Sequence, residues 1–140
     1  WLVVHSAKAR CFMPASEHID NLLVMAHKDF NALRGMVENP LFADEIFGFH
    51  AQQAIEKTFK AWLAQIDVEY PLTHDLSRLL LLLEESGQDV TDYWPLVEFN
   101  VFAVQARYES SLMALEEPLD RKLIIASIDR LLLKVGCLSI

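Results

Sequence analysis

Five side chains in this sequence have the chemistry to recognise a phosphate or to move a proton: His50, Gln53, Lys57, His74 and Arg107. At about 100° per residue, His50, Gln53 and Lys57 fall on one helical stripe, a donor array suited to a phosphate or a base edge. His74 carries an imidazole that titrates near neutral pH, and Arg107 carries a planar cation that fits an oxyanion. Each has a plainer reading beside the functional one. The stripe is equally a solvated face or a dimer seam, His74 beside Asp75 fixes a loop, and Arg107 closes an ion pair with Asp75 or Glu56. Glu56 and Lys60 stand at i and i+4 in the favourable order, a structural pair worth about 0.2–0.5 kcal/mol. Tyr108 stacks on a base or edges the core. His5, His18, His27, Cys11 and Cys137 have no metal-ligand spacing, and phosphate loops, dinucleotide fingerprints and serine elbows are absent, so no metal and no cofactor is expected.

The elements that must position these groups read as helices throughout. From Ser16, a good N-cap, the residues Ile19, Leu22, Leu23, Ala26, Phe30, Leu33 and Val37 recur at helical spacing until Asn39-Pro40 stops them. A second helix, about 42–66, bears the polar stripe together with Ala54 and Ala61, small enough to admit a ligand or a second helix. Ile55, Phe59, Trp62, Leu63 and Ile66 take its opposite side and build a core. After a loop with Pro71, Thr73 stands as N-cap of a third helix, which Asp75 complements electrostatically and Gly87 ends. A fourth begins in the 92–95 region, with Leu96 or Val97, Val101, Val104 and Tyr108 inward. A fifth opens at Asp120 and carries Ile124, Ile128, Leu131, Leu132 and Val135. The expected architecture is all-α: an up-and-down helical bundle of four long helices plus one additional helix.

Composition narrows the setting. A chain of 140 residues with 53% hydrophobic content suits one domain with a sizeable core, read as 14–140 behind a flexible leader or added segment over 1–13, with Met13 a candidate natural start. The net charge of −8 argues against a surface that neutralises many phosphates. Two cysteines near opposite ends point to reduced thiols and a cytoplasmic location, and no apolar run approaches the roughly 20 residues of a membrane span. A mean hydropathy of +0.21 favours an oligomer.

Three ordered motifs carry a resemblance: Phe49-His50-x-x-Gln53-Ala54-x-Glu56-Lys57-x-x-Lys60-Ala61, then Pro71-x-Thr73-His74-Asp75-Leu76, then Arg107-Tyr108. In these the chain resembles the HEPN family of helical domains, often encoded beside minimal nucleotidyltransferases, over roughly 19–132. The resemblance implies an all-α bundle, a homodimer, a nucleotide or RNA as ligand, and membership of a two-gene module like a toxin and antitoxin pair. HEPN members that look like metal-independent ribonucleases carry an arginine followed after four to six residues by a histidine. Here the last histidine is His74, Arg107 has none downstream, and Arg10 reaches His18 only after seven intervening residues. The resemblance thus implies a binding subunit more than an enzyme. In that reading His50, Gln53, Lys57, His74 and Arg107 line a polar groove, supported by Glu56, Lys60, Thr73, Asp75 and Tyr108. The alternatives are a ribonuclease that brings His74 or His50 against Arg107 by folding, and a purely structural interaction module.

Overall fold

The computed structural model describes residues 15–103 and 117–138, and all its regular elements are helical, with no strand among the described residues. They are α1 (Ala15–Met36), α2 (Asp44–Gln65), α3 (Leu76–Glu85), a 3₁₀ segment (Thr91–Phe102) and α4 (Arg121–Leu138). Three are long, of 22, 22 and 18 residues, whereas α3 has 10 and the fourth place is taken by the tighter 3₁₀ segment. The leader expected over 1–13, Cys11, His5, Arg107 and Tyr108 lie outside the described residues.

α2 is the central element, with α1, α3, the 3₁₀ segment and α4 all packed on it. Phe47, Ile55, Phe59, Trp62 and Leu63 are fully buried there, as are Ala51, Ala54 and Ala61. Each large side chain contributes about 1.5–3 kcal/mol of burial, far more than any ion pair on the surface. Of the two occupants expected beside Ala54 and Ala61, a ligand or a second helix, the described residues show a helix. Ala54 and Ala61 lie on the same side of the wheel as His50 and Lys57, which reach α1, so the second helix their small side chains admit is the chain's own α1.

The 3₁₀ segment explains a correction. Its buried residues Leu96, Phe99 and Phe102 repeat every third position, with Val90 buried and Tyr93 part-buried at the same interval before them. Three residues per turn aligns such a repeat on one line, where 3.6 would smear it around the cylinder. Val101, expected inward on an α-helical count, is exposed, and Val104 lies outside the described residues.

Helix ends follow local chemistry. Gly87, at φ 90°, closes α3: its N–H donates to the Glu84 carbonyl at 3.0 Å and that of Gln88 to the Leu83 carbonyl at 3.0 Å, a Schellman arrangement. α2 ends the same way through Asp67 at φ 61°, with the Asp67 N–H on the Ala64 carbonyl and the Val68 N–H on the Leu63 carbonyl. The N-cap of α3 is Asp75, not Thr73. Asp75 Oδ1 accepts from the Ser77 amide at 3.0 Å, while Thr73 Oγ1 stands one step earlier and accepts from the Asp75 amide at 3.1 Å. His74 accordingly belongs to the turn before α3 and not to its first helical turn.

Candidate functional site: a polar spine along the second helix

Two carboxylates organise the polar side of α2. The first is Asp29, on α1. Its Oδ1 lies 3.0 Å from His50 Nδ1 and its Oδ2 accepts from Lys57 Nζ at 2.6 Å. His50 and Lys57, seven residues apart, are two turns apart on one line, so a single carboxylate from the facing helix spans both. Asp29 is 13% exposed, His50 32% and Lys57 21%. The anion is therefore the more covered partner, and the two donors form the rim.

The second carboxylate is Glu56, 6% exposed. Gln52 Nε2 donates to its Oε1 at 2.9 Å, Lys60 Nζ to its Oε2 at 2.9 Å, and His74 Nδ1 lies 3.0 Å from Oε1. Burial alone would push the Glu56 carboxyl upward, but the bonds from Gln52, Lys60 and His74 and the Lys60 charge outweigh it and hold it below the usual carboxylate range. An ionised carboxylate only accepts, so the Nδ1 of His74 carries the proton of that bond and Nε2 is left on the outer side of a ring that is 70% exposed. Gln52 Nε2 also donates to the His74 carbonyl at 3.2 Å, and Gln53 Nε2 donates to Gln52 Oε1 at 2.7 Å. Gln52, fully buried, thus ties the turn before α3 to the helix.

The structure brings His50 and Lys57 together on Asp29, and His74 and Lys60 together on Glu56, with Gln53 reaching the second group through Gln52. Lys60 Nζ lies 5.8 Å from the centroid of Tyr70, whose hydroxyl is 2.8 Å from His18 Nε2, extending the spine toward the start of α1. Asp75 is held by Asn100, whose Nδ2 donates to Asp75 Oδ1 at 2.9 Å while its Oδ1 accepts from the Leu76 amide at 2.7 Å. The Ser77 hydrogen bonds first, and Asn100 after them, keep the Asp75 carboxyl below its usual range despite partial burial. Asn100 links the fourth element to the start of α3; Arg107, for which an ion pair with Asp75 or Glu56 is one sequence reading, lies outside the described residues.

Asp29, Gln52 and Asn100 were absent from the sequence-level site. Asp29 interrupts the apolar count of α1 one position before Phe30, and Gln52 lies 200° around the wheel from His50, within the arc expected to be apolar. A polar residue at a core position is the one signal that marks it.

Chemically, the spine offers a rim of hydrogen-bond donors, His50 and Lys57, fixed by one covered carboxylate, and a neighbouring imidazole with an outward nitrogen. No group of His, Cys, Asp and Glu able to hold a metal is found among the described residues. No described helix is long and apolar enough to cross a membrane. The family model of the HEPN domain matches residues 19–132, from within α1 to within α4. No curated protein and no solved structure matches the chain.

Proposed function

Because this chain belongs to the HEPN domain family, a group of helical modules with nucleotide-binding or ribonuclease-like roles, we propose that it is a nucleotide-binding subunit and not a catalyst. Its ligand is a single nucleotide bound through its phosphates at the His50–Lys57 rim. The observation that carries this reading is the shared carboxylate: Asp29 clamps two donors two turns apart and is itself more covered than either. Donors held in place lose little freedom when a phosphate arrives, which favours binding. A net charge of −8 favours one compact anion over a long nucleic acid that needs an extended basic surface. HEPN domains commonly dimerise, and in our reading this one is a cytoplasmic homodimer working with a minimal nucleotidyltransferase in a toxin and antitoxin style module.

The test is equilibrium binding of a fluorescent ATP analogue to the purified chain and to a Lys57→Ala, Arg107→Ala double variant. The reading requires binding by the first and its loss in the second, with helicity retained. Unchanged affinity would overturn it.

One observation favours the ribonuclease alternative. His74, steered through Nδ1 by the buried Glu56 carboxylate with its other nitrogen outward, has the arrangement of a general base. That alternative predicts growth arrest on expression, relieved by His74→Ala, and cleavage of a labelled mixed-sequence RNA in EDTA.

A further inference from the structure

The 3₁₀ segment and α4 both pack on α2, and both reach Trp62. Tyr93 stands edge-on to the indole, ring centroids 5.8 Å apart, and Lys134 Nζ lies 5.3 Å from the indole centroid. The two elements also line a surface cleft of about 300 Å³. Asp92, Tyr93, Pro95 and Leu96 form one wall, and Ser127 and Arg130 the other. Tyr93, one of the cleft's lining residues, packs against Trp62, which projects about 120° around α2 from His50.

Its chemistry is two-signed. Arg130 and Asp92 line one space with opposite charges, yet no ion pair joins them, and Arg130 has no hydrogen bond to any described residue. A purely anionic guest would suit Arg130 and meet Asp92; a purely cationic one would do the reverse. Burial and the nearby Asp92 carboxylate raise the Tyr93 phenol above its usual range, so it stays a neutral donor. Ser127 Oγ gives its proton to the Leu123 carbonyl and keeps lone pairs for an ammonium. Pro95 and Leu96 are apolar, and the volume is at the small end of ligand pockets, about 300–1,000 Å³.

We propose that this cleft binds a free α-amino acid with an aliphatic side chain, its carboxylate on Arg130, its ammonium on Asp92 and its side chain against Pro95 and Leu96. The guanidinium fork matches a carboxylate in two-point fashion, and the two charges together reject molecules carrying only one.

Equilibrium dialysis of the full chain with radiolabelled L-leucine tests this, set beside 4-methylpentanoate and 3-methylbutylamine, which keep the side chain and one charge each. Leucine binds saturably, and each analogue binds at least about tenfold more weakly, the effect of losing one charged hydrogen-bond partner. Arg130→Gln and Asp92→Asn, both at exposed positions, weaken leucine binding to a similar degree while the circular dichroism spectrum is unchanged. No saturable leucine uptake, an analogue that binds as well as leucine, or well-folded variants that retain full affinity would each overturn the proposal. The analogue comparison uses only the unaltered chain, so it decides the matter even if a variant misfolds.

Discussion

Phe102 lies directly over Gly48: a Cβ built on that glycine would stand 2.6 Å from ring carbons of the phenylalanine. The absence of a side chain on α2 is what lets the 3₁₀ segment approach. Alanine would ordinarily favour a helix by about 1 kcal/mol over glycine, but here it collides with a buried ring. Gly48→Ala is expected to destabilise by about 1–3 kcal/mol in urea unfolding. Adding Phe102→Leu should recover part of the loss, since the two positions share one contact and their effects couple.

Asp67 ends α2 in the left-handed region at φ 61°, where a side chain costs about 1–2 kcal/mol. It is exposed, and its role in the closing hydrogen bonds is played by its backbone. Asp67→Gly is therefore expected to stabilise the fold by about 1 kcal/mol, seen as a higher urea midpoint with unchanged slope.

Glu56 links stability to pH. Its folded value is depressed from an ordinary 4.5 because, against the opposing effect of burial, Gln52, Lys60 and His74 hydrogen-bond the charged form. The stabilisation is fully present above pH 4.5 and is lost as pH falls through the lowered folded value. Glu56→Gln should cost about 1–3 kcal/mol at pH 7 by leaving Lys60 and His74 without their anion. Parallel unfolding curves should converge as pH drops below 4.5; a gap independent of pH would contradict the assignment.

Arg121, at the start of α4, ties that helix to the α1–α2 junction, 77 to 85 positions earlier in the sequence. Its Nε donates to Asp44 Oδ1 at 3.0 Å, one terminal nitrogen donates to the carbonyls of Met36 and Asn39 at 2.8 and 3.2 Å, and the other reaches the Phe42 carbonyl. The carbonyls of Met36 and Asn39, which already accept from the Asn39 and Phe42 amides, and that of Phe42 thus gain a partner from the start of α4. Arg121→Ala is expected to cost about 3 kcal/mol in thermal or urea unfolding, and Arg121→Lys most of that, because an ammonium cannot reproduce the fork.

The helices were legible in the sequence wherever apolar spacing and caps coincide. The α1 residues Ala26, Phe30 and Leu33 and the α4 residues Ile124, Ile128, Leu131, Leu132 and Val135 are buried as their spacing implied. The 3₁₀ segment was misread because Leu96, Phe99 and Phe102 satisfy a period of three that an α-helical count overlooks. At the site, the short-range pair Glu56–Lys60 was readable from i, i+4 spacing. Asp29–His50, Asp29–Lys57 and Arg121–Asp44 span 21, 28 and 77 positions, so only folding brings them together.

If the Asp29-clamped rim of His50 and Lys57 receives a nucleotide, as proposed, a two-dimensional amide NMR titration of the ¹⁵N-labelled chain with ATP gives saturable shifts centred on Asp29, His50, Gln53 and Lys57, abolished in Lys57→Ala. An unperturbed spectrum, or shifts confined to a different face of the protein, would contradict the proposal.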